Sequence, residues 1–138
     1  MEDYQKGSTK VTAFIFDLGD VLFTWFPSPM SDVPPETLHN ILRTSSWFEY
    51  ERGRLTETEV YAKSAHQFDI RAASVKNAFE LARDSLRSDP VMLDTIRALK
   101  ASGCRVYAMS NISAPDWEVL RTKASPEEWA LFDKVFIS

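Results

Sequence analysis

Two short apolar runs each end in a residue that could do chemistry. Val11-Thr-Ala-Phe-Ile-Phe-Asp17 ends in a carboxylate, and Arg105-Val-Tyr-Ala-Met-Ser110 ends in a hydroxyl followed at once by the Asn111 amide. Both runs are rich in β-branched and aromatic residues and read as buried strands, so the polar groups fall at strand C-termini. Open α/β sheets bind ligands at that edge. A carboxylate held there can attack phosphorus and form an aspartyl-phosphate, while a hydroxyl and neighbouring amides hold the phosphoryl oxygens. Each residue alone has an ordinary structural role, because Asp before a turn and Ser before a loop are common caps. Their pairing is what points to phosphoryl transfer.

The elements that must position these groups can be followed along the chain. After Asp17, Leu18-Gly-Asp-Val-Leu22 predicts a tight turn, with Gly19 supplying a backbone conformation that a side chain would resist. Pro27, Pro29, Pro34 and Pro35 exclude a long regular element in the next stretch. From Pro35 the period becomes helical: Leu38, Ile41 and Leu42 share a face, and Thr56-Glu-Thr-Glu59 is a capping box opening a helix through Val60, Tyr61 and Ala65. Val75, Phe79, Ala82 and Leu86 continue the series. Residues 24–87 therefore predict an all-helical insert with no strand in the main sheet, and Trp47 and Phe48 are expected between its helices. Asp89-Pro90 supplies an N-cap and a first-turn proline, Leu93, Ile96 and Leu99 mark a buried face, and Gly103 closes that helix. After strand 105–110 comes a loop containing Pro115, then a second capping box, Ser125-Pro-Glu-Glu128, opening a helix that carries Trp129, Leu131 and Phe132. Lys134-Val-Phe-Ile-Ser138 reads as a third strand.

This order predicts an α/β fold with a Rossmann-like parallel sheet and a helical cap inserted after the first strand. Residues 1–10 read as a polar tail, 11–23 and 88–138 as a partial core, and 24–87 as the cap. A doubly wound sheet usually has five or six strands, so three are expected to leave an unpaired edge and uncovered apolar faces, as in the N-terminal portion of a larger fold.

At 138 residues the chain has the size of one domain, and 44% hydrophobic with 26% charged residues is an ordinary globular composition. Sixteen Lys and Arg against twenty Asp and Glu give a net charge of −4 with no basic cluster, which argues against nucleic acid as a partner. Nothing approaches the apolar length of a membrane span, the N-terminus lacks a signal-peptide core, and a single Cys forms no internal disulfide. A cytoplasmic location is expected. His39 and His66 stand apart from any ligand spacing. Cys104 reads as a small buried residue, and Trp47, Phe48 and Tyr50 as the core of the insert rather than a pocket wall. The oligomeric state is not legible here.

Three segments, Phe14-Ile-Phe-Asp-Leu-Gly-Asp-Val-Leu22, Trp47-Phe-Glu-Tyr-Glu-Arg-Gly-Arg-Leu-Thr56 and Val106-Tyr-Ala-Met-Ser-Asn111, resemble the haloacid dehalogenase-like (HAD-like) hydrolase superfamily. The resemblance covers nearly the whole chain after Lys10. It implies that Asp17 is the nucleophile and a Mg²⁺ ligand, that the Gly19 backbone carbonyl is a second ligand, and that Ser110 and Asn111 bind phosphate. The implied activity is Mg²⁺-dependent phosphatase chemistry on a small phosphorylated metabolite. The first motif is also similar to that of HAD-like domains of fungal terpenoid pathways, which would act on a prenyl diphosphate. Dehalogenation and a non-catalytic interaction module are the other readings.

Two departures from the family pattern bear on mechanism. The acid/base carboxylate expected two places after the nucleophile is Gly19 here, a replacement shared by an Asp-Leu-Gly-Asn-Val-like subgroup. A carboxylate does follow one place later, as Asp20, but a one-residue displacement changes the direction of a side chain. The family's third-motif Lys and fourth-motif acidic pair are not among these residues, and neither Lys123 nor Lys134 stands where that Lys would. One carboxylate and one carbonyl would hold Mg²⁺ weakly. These 138 residues alone are accordingly expected to hydrolyse phosphomonoesters poorly or not at all.

Overall fold

A computed structural model describes residues 10–138, so most of the expected polar tail lies outside the described residues. In chain order the elements are β1 (Ala13–Asp17), β2 (Phe23–Thr24), α1 (Pro35–Ile41), α2 (Ser45–Glu51), α3 (Glu57–Phe68), α4 (Ala72–Ser85), β3 (Arg87–Ser88), α5 (Pro90–Ala101), β4 (Arg105–Ser110), α6 (Ala114–Leu120), α7 (Pro126–Trp129) and β5 (Lys134–Ile137). The fold is α/β. Its three-stranded sheet has the order β1-β4-β5, with both pairings parallel. Asp17 stands opposite Met109 and Ser110 opposite Ile137, so the carboxylate and the hydroxyl end adjacent strands one residue out of step.

Local chemistry explains most of the helices. The Thr56 hydroxyl accepts from the Glu59 N–H at 3.2 Å, and the Glu59 carboxylate accepts from the Thr56 N–H at 2.7 Å, completing the expected capping box. Asp89 accepts from the Val91 N–H at 2.8 Å ahead of Pro90. At the far end of α5, Gly103 has φ +86°, where a side chain would be strained; its N–H donates to Lys100, and the Cys104 N–H donates to Leu99.

Apolar side chains collect in two clusters. One lies between the sheet and α5 and α6, built on Leu18, Leu22, Leu93, Ile96, Val106 and Leu120. The other belongs to α1–α4 and includes Leu38, Ile41, Trp47, Val60, Val75 and Phe79. Between them runs a two-stranded antiparallel ribbon that pairs Phe23 with Ser88 and Thr24 with Arg87.

The structure corrects several expectations. No residue of 24–87 joins the main sheet, but Thr24 and Arg87 are strand residues of the ribbon; two pairs per strand are too short to leave a pattern in sequence. β1 is not buried on both faces: it is an edge strand, and Ile15 is 64% exposed. Met109 and Phe136 are exposed on the same face as Ile15, which is the uncovered apolar surface expected of three strands. Trp47 packs against Phe79 at 4.6 Å, whereas Phe48 points outward and is 45% exposed. The stretch containing Pro115 is helix α6, capped by Ser113, whose hydroxyl accepts from the Asp116 N–H; proline is well accommodated in a first helical turn. The Ser125 hydroxyl accepts from the Glu128 N–H but the reciprocal bond is not made, and α7 ends at Trp129, so Leu131 and Phe132 lie beyond it. Cys104 is half-buried rather than buried.

Candidate active site

Asp17 is the last residue of β1, and its carboxylate accepts from the Leu18 N–H at 2.7 Å. The chain then turns tightly: the Leu18 carbonyl accepts from both Leu22 and Phe23, and the Asp20 N–H donates to the Phe23 carbonyl at 2.8 Å. The left-handed residue of this turn is Asp20, with φ +56°, and not Gly19 as the sequence suggested. Asp tolerates that region better than most side chains. Nothing lies within 4 Å of where a Cβ on Gly19 would sit, so its glycine is not required by space either.

Ser110, at the end of β4, is buried, and among the described residues its hydroxyl makes no hydrogen bond. Asn111 is exposed, and its side-chain carbonyl accepts from the Ser138 hydroxyl at 2.6 Å, leaving the amide NH₂ available. Two hollows meet here. A smaller one of about 240 Å³ is lined by Ile15, Asp17, Met109, Ser110 and Asn111. The larger, about 340 Å³, has the strand-end residues Asp17, Gly19, Asp20, Ser110 and Asn111 on its sheet side. Its helical side brings Leu38, Leu42, Trp47, Phe79, Ala82 and Leu86, together with Glu51 and Arg83, so Trp47, expected in the core of the insert rather than in a pocket wall, serves as both. That volume falls in the range of small-molecule sites, about 300–1,000 Å³. The predicted residues Asp17, Gly19, Ser110 and Asn111 are thus brought together on one cavity, whose helical wall is mostly apolar but carries Glu51 and Arg83.

Arg83 ties the two halves of the cavity together. Its guanidinium donates to Glu57 of α3 at 2.7 Å, to Asp116 of α6 at 2.6 Å and to the Tyr50 hydroxyl of α2 at 3.2 Å. Burial alone would lower its pKa, but the Glu57 and Asp116 carboxylates hold it above the usual arginine value. Burial pushes the Tyr50 phenol up to about 12, so it remains a hydroxyl at neutral pH. Asp116 also accepts from the Ser113 hydroxyl at 2.6 Å. Glu51 is different: it has no ion-pair partner among the described residues, and burial raises its pKa, aided by Asp116 and opposed by the Trp47 indole N–H and by Arg52. Sequence reasoning found neither Glu51 nor Arg83. Arg83 meets partners 26 and 33 positions away, a distance at which sequence carries no periodic signal.

The cavity carries four carboxylates, Asp17, Asp20, Glu51 and Asp116, against the single guanidinium of Arg83, which is already engaged. An anionic ligand would need a cation to enter such a field. Among the described residues no three His, Cys, Asp or Glu side chains cluster as a metal cage. Mg²⁺ does not need one: it binds through one or two carboxylates and keeps water and substrate phosphate in the remaining positions. The Asp17 carboxylate and the Gly19 carbonyl, which no described N–H engages, are donors of the required hard-oxygen type.

The architecture matches that of known enzymes. A HAD family enzyme of Bacteroides thetaiotaomicron, solved with magnesium and inorganic phosphate, superposes with a TM-score of 0.58 over 92% of this chain and 68% of that chain, at 17% identity. The L-2-haloacid dehalogenase of Xanthobacter autotrophicus does so with a TM-score of 0.53, over 93% of this chain and 57% of that one, at 15% identity. The chain has the HAD-like fold. No family model matches its sequence. Among curated proteins, the chain is 46% identical over 131 residues to a drimenol cyclase of Aspergillus calidoustus, covering 93% of the chain and 24% of that protein. It is 36% identical over 130 residues to a sesquiterpene phosphatase of Aspergillus oryzae, covering 94% of the chain and 65% of that protein. The chain thus spans less than two thirds of the length of either curated relative. Both relatives carry terpenoid names, in keeping with the resemblance noted in the first motif.

Proposed function

We propose that the protein is a Mg²⁺-dependent phosphohydrolase acting on a phosphate or diphosphate that carries an apolar, isoprenoid-type chain. The observation that carries this reading is the composition of the cavity. Strand-end groups of phosphoryl-transfer type, Asp17, Ser110 and Asn111, share it with a wall of Leu38, Leu42, Trp47, Phe79 and Leu86. The five side chains of that wall offer a sugar's hydroxyls little hydrogen bonding, whereas a hydrocarbon chain buries against them at about 25 cal/mol per Å². The terpenoid-pathway names of the two curated relatives support the same choice over a small polar metabolite.

In this reading the Asp17 carboxylate attacks phosphorus in line with the leaving oxygen, and the Ser110 hydroxyl and Asn111 amide donate to the phosphoryl oxygens. Asp17 and the Gly19 carbonyl would hold Mg²⁺, which when bound offsets the negative charge of phosphate and cavity. The α1–α4 unit acts as the cap, excluding water and presenting the apolar wall. No helix among the described residues is long and apolar enough to cross a membrane; we place the protein in the cytoplasm, which cell fractionation would check.

The test is phosphate release by the full-length protein from a 15-carbon isoprenyl diphosphate, the corresponding monophosphate and a hexose phosphate, with Mg²⁺ and with chelator. Hydrolysis that prefers the isoprenyl substrates, needs Mg²⁺ and disappears in Asp17→Asn is expected, because an amide is a poor nucleophile and ligand. Preference for the hexose phosphate, or full activity in Asp17→Asn, overturns the proposal.

A further inference from the structure

Phosphate ester cleavage needs a second group besides the nucleophile. When the leaving oxygen belongs to an alcohol it departs as a strongly basic alkoxide unless it is protonated as the bond breaks. Position 19, two residues beyond the nucleophile, is glycine and offers no carboxylate. The proton donor must therefore be sought among the other acids that line the cavity: Asp20, Glu51 and Asp116.

Geometry separates the three. Asp116 is occupied on both carboxylate oxygens, by the Arg83 guanidinium at 2.6 Å and the Ser113 hydroxyl at 2.6 Å, so neither oxygen is free to face a leaving group. Asp20 follows Asp17 in the same turn, on the sheet side from which the nucleophile approaches. In an in-line displacement the leaving oxygen departs on the side away from the nucleophile. Glu51 belongs to that other side: it lies on the helical wall of the cavity, has no ion-pair partner among the described residues and is half-buried. It is also the last residue of α2, where the carbonyl end of the helix disfavours a negative charge.

We infer that Glu51 is the general acid that protonates the leaving alkoxide, taking the place left empty at Gly19. The inference rests on the phosphohydrolase reading above. An Asp17 oxygen forms a bond to phosphorus while the bond from phosphorus to the ester oxygen breaks. The electron pair of the broken bond stays on that oxygen, which takes the Glu51 proton and leaves as the alcohol. Water then attacks the aspartyl-phosphate, releasing phosphate and regenerating the Asp17 carboxylate, and the proton that water loses returns to Glu51. The elevated pKa of Glu51, caused by its burial, keeps more of it in the acid form. The charged groups around it are Asp116 and Arg52, with Asp17, Asp20 and Arg83 on the same cavity.

The test compares Glu51→Gln with wild type in the full-length protein, using kcat/KM on two esters. That constant reports only steps up to alcohol release. One ester is 4-nitrophenyl phosphate, whose leaving oxygen is weakly basic; the other is a 15-carbon isoprenyl monophosphate. The loss in the Gln variant should be larger on the isoprenyl ester by about 10²-fold or more, the usual worth of a general acid. The decline of wild-type kcat/KM with rising pH on that ester should vanish in the variant. A merely structural role for Glu51 predicts equal losses on both esters. Equal losses, or no loss on the isoprenyl ester, overturn the assignment of Glu51 while leaving the phosphohydrolase reading intact. Wild-type protein inert toward both esters overturns that reading and the inference with it.

Discussion

Replacing Arg83 by Met should destabilise the fold far more than a typical arginine substitution. The side chain is only 15% exposed, and it pairs with Glu57 and Asp116, whose side chains are 29% and 21% exposed. Methionine fills much of the same volume, so the cost comes mainly from two half-buried carboxylates left without their cation. Removing one partner of a fully buried pair costs about 3–5 kcal/mol. These carboxylates retain some contact with water, and Asp116 keeps its bond from Ser113, so the expectation is lower, about 2–4 kcal/mol. For a chain of this size that is a fall in Tm of about 10 °C. The assay is urea denaturation followed by tryptophan fluorescence, with Arg121→Met as the comparison. Arg121 pairs with Glu118 on the surface, at 55% and 62% exposure, and its loss should cost under about 1 kcal/mol. A double-mutant cycle with Asp116→Asn should show coupling of about 1 kcal/mol or more. If Arg83→Met and Arg121→Met cost the same, the argument that this network holds the helical unit against the sheet is wrong.

Other outcomes follow from particular side chains. Thr56→Ala should destabilise by about 1 kcal/mol, read from the denaturation midpoint, because it removes half of the capping box of α3. Tyr61→Phe should be neutral or stabilising by the same measurement: the Tyr61 hydroxyl is buried with no hydrogen-bond partner among the described residues, while its ring stacks on Phe79 at 5.8 Å. The Asp133 carboxylate accepts from the Val106 N–H at 2.8 Å and from Lys100 at 2.9 Å, which holds its pKa below the ordinary aspartate value. Its contribution to stability is therefore present above that value and lost as pH falls through the lower folded value. Stability measured between neutral and acid pH should accordingly fall less steeply at the acid end in Asp133→Asn than in wild type. Gly19→Ala should leave stability within about 0.5 kcal/mol of wild type, since its φ is not left-handed and no atom lies within 4 Å of the added Cβ; a large loss would mean the turn is tighter than it looks.

Sequence alone determined the features that depend on near neighbours. Helix ends at Thr56, Asp89 and Gly103 were legible because capping is a matter of three or four consecutive residues. The strands ending at Asp17 and Ser110 were legible because an apolar run that stops abruptly at a polar residue marks a sheet edge, and the order of elements required those strands to be parallel. The one helix missed in the core, α6, did leave a local sign, Ser113 ahead of Pro115, that could have been read as a cap with a first-turn proline. What tertiary structure decided depends on separations that no local pattern records. The ribbon joins Phe23 to Ser88 through two pairs of residues. The left-handed conformation fell to Asp20 and not Gly19 because the turn is set by hydrogen bonds from Leu22 and Phe23 back to Leu18. Arg83 found carboxylates on two other helices, and Glu51 reached the same cavity as Asp17 only through the packing of α2 above the sheet edge. Side-chain types set which chemistry was available, but which groups met in one cavity was fixed by packing, because a helix presents only one face and tertiary contacts choose what that face meets.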